Sequence, residues 1–356
     1  MRRHHLYLIA AAFIAQAPSA DALPRAGDLQ ALGGHSAIQE IAVIGKDTRR
    51  RVPKRLRKAT RGIGIITDTV KRTKCTAFCV ADDAIVTNNH CLAWGFKKKF
   101  LRTRNLRRFR FRLGKRKTRL RWHNIRPTGN PYLSTLSSWP RKNRANAAVD
   151  DWTAARLAKP ICKGKNLKLA SEGLIRAIAQ PGGLKVAMIG FHGDRSRRRL
   201  TYSECYIAGL YRALGNGYSV HSCDSKPMSS GSPIIYISRF GLDVIAINKG
   251  WIPFKKRHTF QFGRQRNKRL KRVNVATLPL ELNWKLPAFL AMKFIDAPTT
   301  TRELQRLLKA GDFFRGKIDG KVSVELTWAI GQYQHSRNAV RLGIPTRKML
   351  LDLKAQ

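Results

Sequence analysis

Short apolar runs separated by turn residues dominate the middle of the chain, at lengths that suit strands better than helices. Ala84–Thr87, Leu184–Phe191, Ser203–Leu210, Pro233–Ile237 and Leu242–Asn248 recur in this way and read as the strands of an all-β domain over 61–290. From Thr300 the spacing changes. Leu304, Leu307 and Leu308 share one helical face, Phe313-Phe314-Arg315-Gly316-Lys317-Ile318-Asp319-Gly320 is a turn-rich connection, and Ala329, Ile330 and Tyr333-Gln334 lie on a second helix. At the amino end, Arg2 and Arg3, an apolar run from Leu6 to Ala15 and then Ala20-Asp21-Ala22 predict a cleavable signal peptide over 1–22. That run is too short to span a membrane, and no later stretch reaches about eighteen uninterrupted apolar residues.

At 356 residues and 43% hydrophobic content, the chain can build one large core and a smaller one. Six cysteines, an even number behind a signal peptide, fit an oxidising compartment, so a secreted or periplasmic location is expected. The residues alone do not choose among the possible pairings. Candidate chemistry lies at three places: Met228-Ser229-Ser230-Gly231-Ser232-Pro233, Thr87-Asn88-Asn89-His90-Cys91 behind the apolar Ala84-Ile85-Val86, and Asp151-Trp152-Thr153-Ala154-Ala155. A serine hydroxyl is a weak nucleophile until a histidine takes its proton, and a carboxylate must hold that histidine in the right tautomer. Ser230, His90 and Asp151 are the candidates for these roles, with Asp150 an adjacent alternative for the carboxylate.

These three motifs, in the order His, Asp, Ser, resemble those of the trypsin-like serine peptidases. The resemblance implies a chymotrypsin-like fold of two six-stranded barrels and an oxyanion hole made by the backbone N–H groups of Ser230 and Met228. Met228 stands where the family usually has glycine. The family also implies disulfides Cys75–Cys91 and Cys205–Cys223, which leaves Cys79 to Cys162. Ser229 occupies the position of the aspartate that trypsin pairs with its freed amino terminus, so activation by that salt bridge is not expected. The closer likeness is to the bacterial branch that includes glutamyl endopeptidases, shared also by Gly190-Phe191-His192-Gly193-Asp194-Arg195 and Cys223-Asp224. Two residues are candidates for the specificity pocket. Asn248 stands where glutamyl members carry a histidine, and Asp224 has the spacing before Ser230 of trypsin's pocket aspartate, although a turn or an internal hydrogen bond would equally account for it.

Residues 299–354 resemble the peptidoglycan-binding domain 1 family, a three-helix module, with Ser323 in place of the usual glycine and Leu326 in place of the usual threonine. The implied organisation is a signal peptide (1–22), a basic prosegment or flexible arm (23–60), a peptidase domain (61–290) and a helical glycan-binding domain (298–356). Charge modifies the picture. Lys and Arg number 70 against 21 Asp and Glu, a net charge of +49, which favours polyanionic partners. Ala84–Val149 holds no acidic residue, and Lys97–Arg126 carries fifteen Lys or Arg among Phe100, Phe109, Phe111 and Trp122. A solvated basic face is one reading and a stacking groove for single strands another; the anionic cell envelope is the expected partner, and specific nucleic-acid recognition is not expected. The expectation is therefore a secreted serine endopeptidase acting on protein or peptide through an acyl-enzyme, tethered to peptidoglycan, with no cofactor and no metal. The alternative is a catalytically inactive peptidase fold that binds the envelope or another polyanion.

Overall fold

The computed structural model describes residues 43–44, 46–93, 106, 108–125, 151–195, 199–213, 216–263, 268–295 and 297–356. The signal-peptide segment, Asp150 and much of the basic insert lie outside the described residues.

The first barrel is closed by β2 (Ile63–Asp68), β3 (Lys74–Ala81), β4 (Ala84–Thr87), β5 (Phe109–Leu113), β6 (Arg116–Ile125) and β7 (Thr153–Leu157), in the order β2-β3-β4-β7-β6-β5. The second contains β9 (Leu184–Gly190), β10 (Thr201–Ala213), β11 (Asn216–His221), β12 (Pro233–Ser238), β13 (Gly241–Phe260) and β14 (Lys268–Leu278). Their antiparallel order β10-β11-β14-β13-β12-β9 returns to β10 through the β9–β10 pairing, which closes a second six-stranded ring. Two short strands add to its outside: β1 (Arg50–Arg51) along β10 and β8 (Lys168–Leu169) parallel to β13. The fold is chymotrypsin-like, as the sequence predicts.

The period of two in strands explains why many of these runs read as continuously apolar. In β2, Ile66 enters the core of the first barrel while Ile63 and Ile65 face the seam between the barrels. In β12, Ile234 fills the second barrel and Ile235 the seam. Strands buried on both faces lose the polar alternation of a half-exposed sheet. β5 is the contrast: Phe109, Phe111 and Leu113 point into the barrel and Arg110 is exposed. Phe109 and Phe111 are therefore core residues, 1% and 0% exposed, and not platforms on which bases could stack. Arginines alternate with aromatics here because one face of the strand is inside and the other is wet.

The basic stretch before the first barrel also departs from expectation. Instead of forming a free arm, residues 48–60 pack on the barrels. Val52 and Leu56 join the apolar seam, Thr60 is buried, and the Arg49 side chain is almost fully enclosed. Long basic side chains hid two apolar residues four apart, enough to anchor a single turn at Lys54–Leu56.

Helix α1 (Asn89–Ala93) follows β4, α2 (Glu172–Arg176) precedes β9, and α3 (Leu280–Ala291) ends the barrel domain. The tail forms α4 (Pro298–Ala310), α5 (Val324–Ser336) and α6 (Arg347–Lys354) around a separate core of Leu304, Leu308, Phe314, Leu326, Ile330 and Met349 with their neighbours. Ser323 is the N-cap of α5, its hydroxyl accepting from Leu326 N at 3.1 Å, and Leu326 is fully buried. Ser323 and Leu326 thus both serve the fold of the tail. Gln305 holds the Asp319-Gly320 turn, accepting from Gly320 N at 2.8 Å, and Gly320 adopts φ +71°. The module does not hang free. Phe294 bridges to Thr346, and Leu342 and Ile344 join Leu282, Leu286 and Phe289 of α3 in the cluster that runs through the seam.

Candidate active site

The pairing of β4 with β7 matches Thr87 with Thr153, so the residues just after β4 meet those just before β7. His90 and Asp151 are brought together by this register. Asp151 Oδ1 accepts from His90 N at 2.9 Å, and its Oδ2 lies 2.6 Å from His90 Nδ1. Asn88 Nδ2 donates to the Asp151 carbonyl at 2.7 Å. Trp152, with no exposed surface, seats the same turn in the seam. Burial opposes ionisation of Asp151, but the charge and hydrogen bonds of His90, together with the Lys249 charge, hold its carboxyl below the usual range. A buried carboxylate on Nδ1 leaves Nε2 as the ring nitrogen for proton exchange.

Cys91, directly after His90, is bonded to Cys75 on β3. Cys79–Cys162 and Cys205–Cys223 are the other two bridges, and all six cysteines are paired. Cys75, His90 and Cys91 present ligand-type atoms within 4.8 Å of one another. Because the two sulfurs are joined, neither is a thiolate, and the group is not built to hold a metal.

Ser230 lies on the loop from Cys223 to β12, and this loop reaches across to the first barrel through Thr76 on β3. Thr76 N donates to Ser230 O at 2.9 Å, Thr76 Oγ1 donates to Met228 O at 3.0 Å, and Thr76 O accepts from Thr87 Oγ1 at 2.8 Å. Gly231 sits at φ +82°, where a Cβ would collide with Thr76 O and Thr87 Oγ1; only glycine fits. Thr76 went unnoticed in the sequence. Its one signal was its place beside Cys75 in a strand.

Met228 adopts φ +74°, a left-handed conformation that costs a side-chain-bearing residue about 1 kcal/mol or more. Glycine would adopt it freely. Ser229 N turns back to Lys226 O at 3.0 Å. The N–H groups on either side of it, those of Met228 and Ser230, have no protein acceptor among the described residues. Two such donors bracketing one residue are what an oxyanion requires. The Ser230 hydroxyl itself donates to Lys249 O at 3.0 Å.

Both candidate pocket residues are buried and hydrogen-bonded within the protein. Asn248 is fully buried, and its Nδ2 donates to Ser229 O at 2.9 Å and lies 3.0 Å from Ser229 Oγ. Its Oδ1 meets His221 Nε2 at 3.1 Å, while its backbone carbonyl accepts from Gly231 N. It braces the nucleophile loop from behind. Asp224 is 2% exposed, and its Oδ2 accepts from Thr48 N at 2.7 Å and Thr48 Oγ1 at 2.6 Å. That carboxylate anchors the amino-terminal segment. His192 and His221 are both buried, and burial first of all pushes each down to about 4, so both are neutral at neutral pH.

No family model and no curated protein matches the chain. Among solved structures, one of a Glu endopeptidase in complex with MPD is similar at 14% identity, covering 70% of this chain and 99% of that one, with a TM-score of 0.47.

Proposed function

We propose that this chain is a serine endopeptidase with Ser230 as nucleophile, His90 as general base and then general acid, and Asp151 as the group that orients and stabilises the imidazolium. The observation that carries the reading is the His90–Asp151 pair, with two contacts to one buried carboxylate. The serine loop is tied by Thr76 to the same barrel that carries this pair. On attack, the Ser230 proton now donated to Lys249 O passes to His90 Nε2 while Oγ bonds to the scissile carbonyl carbon. The negative charge developing on the carbonyl oxygen is met by the Met228 and Ser230 N–H groups. His90 then protonates the leaving amine, and water hydrolyses the acyl-enzyme by the reverse proton route. No step calls on a metal or cofactor.

A fluorophosphonate probe tests this directly. Labelling of Ser230 in the wild type and its loss in His90→Ala support the reading; an unlabelled wild-type serine overturns it. That outcome would favour the second reading, an inactive peptidase fold, which the Ser230–Lys249 hydrogen bond and the non-glycine Met228 make specific.

The tail is proposed as a peptidoglycan-binding module of an enzyme secreted by way of residues 1–22, with the basic surface as a further contact to anionic envelope polymers. Because the module shares its packing with α3, the test uses the full chain. Sedimentation with purified peptidoglycan that survives 1 M salt, where the Debye length is about 3 Å, marks binding by shape and hydrogen bonds. Sedimentation lost at that salt marks charge alone.

A further inference from the structure

The amino-terminal segment 47–49 holds the Ser230 loop directly at Asp224 and, through the turn that carries Asp194, at Pro227. Thr48 uses both its N–H and its hydroxyl on Asp224, at the entry to that loop. Its neighbour Arg49 has a side chain only 1% exposed. It makes paired contacts with two carboxylates: Nε to Asp47 Oδ1 at 2.9 Å and Nη2 to Asp47 Oδ2 at 2.6 Å, and Nη1 and Nη2 to the two oxygens of Asp194 at 2.8 and 2.7 Å. Asp194 belongs to the turn whose Gly193 N donates to Pro227 O at 2.7 Å, the residue immediately before the left-handed Met228. The Lys226 ammonium stands 3.9 Å from the same Asp194. Strand β1 then pairs Arg50 and Arg51 with Tyr202 and Thr201, fixing the register of the grip.

We infer that Asp47-Thr48-Arg49 is a positioning clamp for catalysis, holding the Asp224–Ser230 loop in the strained conformation that presents the Met228 and Ser230 N–H groups to the reacting oxygen. It takes the place of the terminal amine that this chain, with Ser229 before its nucleophile, has no aspartate to receive. A left-handed non-glycine residue persists only where its surroundings over-determine it. Here they do so from both sides, through Asp224 and through Pro227. The chemistry requires arginine, because a planar guanidinium can bridge two carboxylates side by side and a lysine ammonium cannot. Without it Asp47 and Asp194 would keep the longer ion pairs with Arg195 and Lys226, at 3.5 and 3.9 Å, but the segment would lose its paired hold on the turn at Asp194. Proteolysis within the arginine-rich stretch that follows would thus remove activity rather than create it.

The inference rests on the peptidase reading, and the test separates the two. Arg49→Ala, Asp194→Asn and Thr48→Val are compared with wild type and with Arg50→Ala, whose exposed pair with Glu204 should contribute little. Two readouts are taken: kcat and KM per fluorophosphonate-titrated site, and amide hydrogen exchange over 222–232. A clamp predicts a fall in kcat of about 10- to 100-fold, the scale of a small misplacement of catalytic groups, with KM changed less than about threefold. Exchange over 222–232 should accelerate while β14 stays protected. Should Arg49→Ala fail to fold, Asp194→Asn and Thr48→Val carry the test alone, since Asp194 is partly exposed. Unchanged exchange over 222–232, or an unchanged kcat in variants that exchange faster, overturns the clamp. A wild type without Ser230-dependent hydrolysis overturns the peptidase reading and, with it, the catalytic role of the clamp, whatever the exchange shows.

Discussion

The two halves of the candidate site are held in place by different kinds of force. On one side, His90 and Asp151 follow from strand register and one disulfide within one barrel, with Trp152 buried beside them in the seam. On the other, Ser230 rides on a loop whose shape depends on side-chain hydrogen bonds from Thr76, Asn248 and Thr48, which come from elsewhere in the chain, and on the Asp194 turn that Arg49 holds. Backbone ladders spread any loss over many bonds, whereas a buried side-chain network fails when one member is removed. The acid–base half should therefore tolerate damage that the nucleophile half does not.

The largest effect comes from the reacting atoms, where the two halves must be equal. Ser230→Ala and His90→Ala should each lower turnover by about 10⁴- to 10⁶-fold with folding retained, read by peptide hydrolysis and thermal melting. Full activity in either variant would dissolve the comparison along with the peptidase reading.

Below that, the halves should separate. Asn248→Ala leaves Ser229 O and His221 Nε2 without their present partner and should lower kcat about 10²-fold, with a stability loss of about 2 kcal/mol. Replacing both Cys75 and Cys91 by serine should cost about 3 kcal/mol through the unfolded state, yet lower kcat by less than Asn248→Ala does, because the β4–β7 register still places His90. Steady-state kinetics beside urea titration checks the pair. A disulfide variant more impaired in kcat than Asn248→Ala would reverse the assignment.

Acid offers a finer division. His192 and His221, both in the second barrel, titrate near 4 when folded against 6.5 as ordinary histidines. Between those values the unfolded chain binds more protons than the folded one, so stability present above pH 6.5 is lost as pH falls toward 4. Asp151 has a depressed pKa, so its contribution is lost only lower, as pH drops through and below the usual carboxylate range. The melting temperature should thus fall by about 5 °C or more between pH 6.5 and 4. His221→Asn should flatten part of that slope. A flat profile over this range would show that the two buried histidines are not sequestered from water in solution.

What could be read in the chain alone was whatever depends on local order. Strand lengths and the change to helical spacing at Thr300 carried the division into a β domain and a helical tail, because strand period and turn chemistry act over a few residues, while the double barrel, the third helix and the candidates His90, Asp151 and Ser230 came from the resemblance of short motifs to known families. Residues that act through distant partners had no such signature. Thr76 became a link only when the loop of one barrel met a strand of the other, and the bracing by Asn248 and Asp224 depends on Ser229 and Thr48, which the fold brings against them. The basic segment looked free because charge dominates its composition, while its burial rests on Val52, Leu56 and two carboxylates that bind Arg49, one of them in a turn 145 residues away. Period and motif are written residue by residue; which side chains share a buried hydrogen bond is decided by how the two barrels close on each other.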